Sequence, residues 1–175
     1  MVNGEGGGAR GGTLELQLRE PLHLVSRKAR AFWTLRALPG WIVIAALEAL
    51  ILIGAGGPAP VVTVIAGATT VLAVAHLIVM PQWRYRVHRW EITETAVYTQ
   101  SGWLRQERRI APIARVQTVD TQRGPIEQLF GLSNVTVTTA SARGPLKIHA
   151  LDRAVADHTV AWLTERAQLA GGDGT

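Results

Sequence analysis

The chain has 175 residues, with 18 Lys plus Arg against 13 Asp plus Glu, no Cys, and 47% hydrophobic residues. Between Arg36 and Arg84 lie 47 residues with one formal charge, Glu48; an even spread would place about eight there, so the pattern excludes a simple soluble globule. The absence of cysteine excludes a disulfide framework, a thiolate metal site and a cysteine nucleophile.

Residues 1–25 begin glycine-rich and read as a disordered tail, since ordering them would cost backbone entropy with little burial in return. Residues 26–83 form the membrane unit. It opens with an interfacial helix that has Ser26 at the N-cap and mixes Arg27, Lys28 and Arg30 with Phe32, Trp33 and Leu35. Pro39 and Gly40 punctuate that helix, and a proline in the first turn of the next is tolerated. A hydrocarbon layer of roughly 30 Å needs about 20 helical residues, so the charge-poor stretch is long enough to cross twice. The spans are placed at about 39–56 and 61–80, joined by a short turn at 54–60. A signal peptide is the rival for the first run. Against it, the basic region would be overlong, no twin arginine is present, and a second apolar run follows at once. Basic residues precede the first span, and Arg84, Arg86 and Arg89 follow the second, whereas the connecting turn has none. The positive-inside rule then puts both termini in the cytoplasm of a bacterial inner or plasma membrane. Trp33, Trp41, Trp83 and Tyr85, with Arg84, Arg86 and Arg89, are the expected membrane-interface residues.

After Arg84 the apolar period changes to two, which predicts strands at 85–92, 96–100 and 103–110, with turns at 93–95 and 101–102. Further strands follow at 116–121, 135–139 and 146–148. An amphipathic turn of helix, Ile126 to Phe130, ends at Gly131, and Arg143-Gly144-Pro145 supplies another turn. Asp152 caps a last helix with an apolar stripe of Ala156, Val160, Leu163, Ala167 and Ala170, broadened by Val155, Trp162 and Leu169. The domain is bounded at 84–170, with residues 171–175 as a second tail. The fold class is α+β: a two-helix transmembrane hairpin, then an antiparallel β-barrel capped by a C-terminal helix.

Four segments carry a recognisable pattern: Tyr98 to Leu104, Ile110 to Asp120 with its Ala111-Pro112-Ile113-Ala114-Arg115-Val116, Gly124-Pro125-Ile126-Glu127-Gln128-Leu129-Phe130-Gly131-Leu132, and Val135 to Ala140. In order and spacing these resemble the bacterial pleckstrin-homology family of the YdbS type, over about residues 30–169. The resemblance implies a membrane-flanked barrel of about seven strands closed by a helix, with no catalytic residue to carry over. Phosphoinositide-binding relatives have a basic loop between the first two strands. Here that loop is Thr93-Glu94-Thr95, so inositol phosphate binding is not carried over.

Glu48 would lie near the bilayer midplane, where a carboxylate costs a few kcal/mol and faces a partner or water. Counting along the helices sets Thr69 or Thr70 beside it and leaves His76 nearer the inner face. Two readings stay open, a contact with another subunit or a carboxyl satisfied inside the hairpin. Arg105, Arg108, Arg109, Arg115 and Arg123 could form a patch for phosphate or carboxylate groups, and solvated strand faces explain them equally well. His23, His76, His88, His149 and His158 show no metal-binding spacing, and no nucleophile elbow or phosphate loop occurs. No catalysis, cofactor, metal or nucleic acid is expected. The expected partners are the lipid bilayer and a companion membrane protein or a homo-oligomer. The expected function is that of an interaction module, with recognition of anionic headgroups or an envelope metabolite by the juxtamembrane and barrel arginines as the alternative.

Overall fold

A computed structural model describes residues 20–54, 57, 60–141 and 144–172. The tails at 1–19 and 173–175, most of the turn at 54–60, and Arg143 lie outside the described residues. In chain order the elements are β1 (His23–Leu24), α1 (Ala29–Gly54), α2 (Pro60–Val87), β2 (Arg89–Ile92), β3 (Ala96–Ser101) and β4 (Glu107–Pro112). A 3-10 turn (Ile113–Arg115) leads to β5 (Val116–Gln122), α3 (Pro125–Phe130), β6 (Leu132–Thr139), β7 (Leu146–Asp152) and α4 (Arg153–Gly172).

Helices α1 and α2 have 26 and 28 residues. At about 1.5 Å per residue each is roughly 40 Å long, and so overshoots a hydrocarbon layer of about 30 Å. Their outer two-thirds leave apolar side chains bare, Ile53 at 77% and Val64 at 72% exposure. Water penalises such surface by about 25 cal/mol per Å², and lipid does not. The overshoot at the other end is covered by protein: Ala29, Phe32 and Trp33 of α1 and Met80, Pro81 and Val87 of α2 are buried.

Three expectations for this region are corrected. The interfacial helix and first span are one helix running through Pro39 and Gly40. A proline costs one rung of the ladder, which a transmembrane helix accommodates when a neighbouring helix packs beside it. Pro81 lies inside α2 in the same way. Lacking an N–H, it cannot serve the Leu77 carbonyl four residues back, and the Thr34 hydroxyl of α1 comes within 3.4 Å of that oxygen. Secondly, α2 runs to Val87, so the domain does not begin at 84 and its first long strand is shorter than expected. Thirdly, order begins before residue 26. His23 and Leu24 pair with Trp90 and Arg89, Val25 is 5% exposed, and the Ser26 N–H donates to the Ala150 carbonyl at 3.0 Å. A sheet edge and one buried valine offset the ordering entropy that the tail reading had weighed alone.

The strands form two antiparallel sheets, β1-β2-β3-β4 and β5-β6-β7, rather than a closed barrel. Pro112 ends β4 without a ladder donor and feeds the 3-10 turn, which carries the chain from one sheet to the other. Arg109 of β4 spans the resulting seam, donating to the carbonyls of Gly144 at 2.7 Å and Pro145 at 2.6 Å, just ahead of β7. Between the sheets lie Val97, Ala111, Ile113, Val135, Val137, Leu146, Ile148 and Leu151, with Ala156 and Leu163 brought in by α4. Thr159 completes the buried stripe of α4, while Val155 and Leu169 are exposed. Asp152 ends β7, and its carboxylate lies 3.3 Å from the Lys28 Nζ.

Candidate functional site

The base of the hairpin is built into a second core. Val25, Ala29, Phe32 and Trp33 meet Leu132 and Ala150 of the domain, with Tyr85, Trp90, Ile126 and Phe130 packed around them. Phe32 and Phe130 meet edge to face, centroids 6.4 Å apart. Ala150 sits at φ 55, an uncommon conformation for a residue with a side chain. Its N–H donates to the Asn134 side-chain oxygen at 2.9 Å, across the bulge between Ser133 and Val135, and its carbonyl accepts from Ser26. The bulge thereby turns a strand residue into the anchor of the N-terminal segment.

Trp33 was expected among headgroups and is instead 2% exposed. The Arg84 guanidinium stacks over its ring at 4.6 Å, and the His88 ring lies 5.0 Å away. Arg30 lies over Tyr85 at 4.9 Å and donates to Gln82 at 3.2 Å. Thus Trp33, Arg84 and Tyr85 are taken up by the joint between hairpin and domain, because helices longer than the bilayer must bury their ends. Arg86 is exposed, and Arg89 contacts the Arg86 carbonyl at 3.5 Å. His88 Nδ1 is 2.8 Å from the Arg84 carbonyl, a geometry in which Nδ1–H donates. Burial, then the neighbouring Arg84 charge, lowers its pKa to about 4, so the ring is neutral at pH 7. His149 is displaced in the same direction, first by burial and then by Arg84.

Higher on the hairpin, an open groove of about 230 Å³ is lined by residues that include Trp41, Ala45, Glu48, Thr69, Thr70 and Ala73. The Thr69 and Thr70 hydroxyls donate to Ile65 and Ala66 of their own helix, at 2.9 and 2.8 Å. Glu48 is half-buried and makes no hydrogen bond or ion pair among the described residues. His76 stands apart from it, accepting from Trp41 Nε1 at 2.9 Å.

The five domain arginines do not converge. Arg108 donates to Gln100 at 2.9 Å and to Glu20 at 3.3 Å. Arg109 closes the seam, and Arg123 joins Ser133 at 3.3 Å to Asp157 at 2.7 Å. Arg105 and Arg115 are exposed in separate loops. Arg108 and Arg109 share a cleft of about 210 Å³, and both are already engaged there. Placed on a partly solvated sheet, the guanidiniums of Arg108, Arg109 and Arg123 find local acceptors among the described residues. Sequence reasoning also missed Trp103, whose loop reaches the hairpin: its carbonyl accepts from Trp83 Nε1 at 3.0 Å and its ring lies 6.1 Å from His76. A helix-facing tryptophan after Ser101-Gly102 was the available signal.

Two lipid-length helices whose inner ends are cemented into a pair of antiparallel sheets capped by a helix define a membrane protein with a pleckstrin-homology-like domain. The family model described as bacterial PH domain matches residues 40–167, and the chain belongs to that family. It is similar to UPF0699 transmembrane protein YdbS of Bacillus subtilis (strain 168), 35% identical over 69 residues, which are 39% of this chain and 43% of that protein. The aligned part thus spans less than half of that relative's length. No solved structure matches the chain significantly.

Proposed function

We propose that the chain is a non-enzymatic membrane module, with both ends in the cytoplasm, that docks side by side with another transmembrane segment through the Glu48 groove and holds its PH-like domain there. The observation that carries this reading is the carboxyl of Glu48, half-buried in an open groove with no hydrogen-bonding partner among the described residues. A lone polar group at that depth costs about 3 kcal/mol, which a facing hydrogen-bonding group would offset. A second copy of this chain brings the same groove and a facing Glu48 side chain across a twofold axis, so it is the occupant best matched to the groove. Ala45 and Ala73 leave room for the approach. The rigid joint supports the same reading, because it fixes where the domain stands beside whatever the hairpin binds.

Native mass spectrometry of the full chain extracted in mild detergent tests this, with crosslinking through Ala45→Cys in membranes. The expected result is a dimer that Glu48→Leu abolishes and Glu48→Gln partly retains. Stoichiometric co-extraction of another protein, lost in Glu48→Leu, would identify a companion instead. A monomer in native membranes, unchanged by either substitution, refutes the reading.

A further inference from the structure

We propose that the loop between β3 and β4, with Trp103 and Leu104 at its tip, is a third membrane contact that seats the domain on the bilayer. Leu104 is 83% exposed, and Trp103 beside it is 41% exposed. Such a pair at a loop tip facing water would be an unoffset apolar surface. Their position sets the depth. The Trp103 ring lies 6.1 Å from the ring of His76, and His76 precedes Met80, the expected inner end of the span, by four residues, about 6 Å along the helix. The Trp103 carbonyl is held by Trp83 Nε1 at 3.0 Å, and Trp83 is itself 51% exposed. The loop is therefore continuous with the lipid-facing surface of the hairpin, at the level where indole rings favour the interface.

The backbone is shaped for this. Gly102 adopts φ 107, and a Cβ on it would collide with the Arg105 carbonyl oxygen. Only glycine permits that tight a return, which pushes the two apolar side chains outward and leaves Arg105, exposed, next to the headgroup layer. The opposite end of β3, at Thr93-Glu94-Thr95, lies about 20 Å away along the strand. Trp103 and Leu104 thus mark the one end of this hairpin of strands that meets lipid.

The chain has no cysteine, so Leu104→Cys gives a unique thiol for an environment-sensitive fluorophore such as NBD. The full-length protein is reconstituted in phosphatidylcholine–phosphatidylglycerol vesicles, with Glu94→Cys labelled as the far-end control. The expected result at position 104 is blue-shifted emission, quenching by nitroxide on the lipid acyl chains, and loss of the iodide quenching seen at position 94. Iodide quenching at 104 equal to that at 94 overturns the proposal. A blue shift without acyl-chain quenching also overturns it, since it would put the loop against protein rather than lipid.

Discussion

Acid should loosen the joint between hairpin and domain, and the size of the effect follows from His88. Its pKa is about 4 in the folded chain against 6.5 for a free imidazole. The folded state therefore binds fewer protons than the unfolded state between those values, and stability falls as pH falls. The contribution is fully present above pH 6.5 and is lost progressively down to about pH 4. At about 1.4 kcal/mol per pH unit, the difference amounts to about 3 kcal/mol at most. His149, lowered by burial and by Arg84, acts in the same direction. For a chain of this size, about 3 kcal/mol corresponds to a melting shift of about 6–12 °C. Thermal unfolding of the detergent-solubilised chain at pH 7 and pH 4.5, followed by tryptophan fluorescence, reads it, because Trp33 lies under the Arg84 guanidinium and beside the His88 ring. His88→Asn keeps a polar side chain that does not titrate. It should lower stability at pH 7 and flatten the slope between pH 6.5 and 4.5. If His88→Asn melts with the same acid dependence as the parent chain, the assignment of that dependence to this ring is wrong.

Two further outcomes follow from the domain itself. Arg109→Ala removes both charge-assisted bonds across the seam and should cost about 2–4 kcal/mol in denaturant unfolding, with Arg109→Lys recovering little because a single ammonium cannot hold two carbonyls in the same fork. Gly102→Ala meets both a positive φ and the Arg105 carbonyl oxygen; a loss of more than about 2 kcal/mol is expected in the same assay, and a neutral effect would mean that the turn is not formed as described.

The hairpin was legible because its signal is compositional: one charge in 47 residues admits few architectures. The alternating strands and the α4 stripe were legible for a related reason, since Val135, Val137, Ala156 and Leu163 each repeat at the period of their element and all four are buried. What could not be read was where the helices stop being membrane and start being domain. Trp33 beside basic residues looks the same in sequence whether its ring meets headgroups or Arg84 and His88. Pro39 likewise reads as a helix start, because the local sequence does not show that one helix runs through it. The partners of the domain arginines could not be read either: Arg109 and Arg123 are equally basic in sequence, yet their acceptors, Gly144 and Asp157, are 35 and 34 residues away. The N-terminal strand was invisible because two residues have no period. Its partners, Trp90 and Arg89, lie far downstream.

That strand also has a consequence for biogenesis. His23 and Leu24 emerge from the ribosome well before Trp90 and Arg89, which pair with them, and Ser26 before Ala150, which accepts its N–H, so the segment must wait through the insertion of both helices. If a single helix crossed, the early segment and the late domain would be stranded on opposite faces of the bilayer. The sheet would then lack its edge and the second core would lack Val25, Phe32 and Trp33. Completion of the fold thus requires an even number of crossings between Leu24 and Arg89.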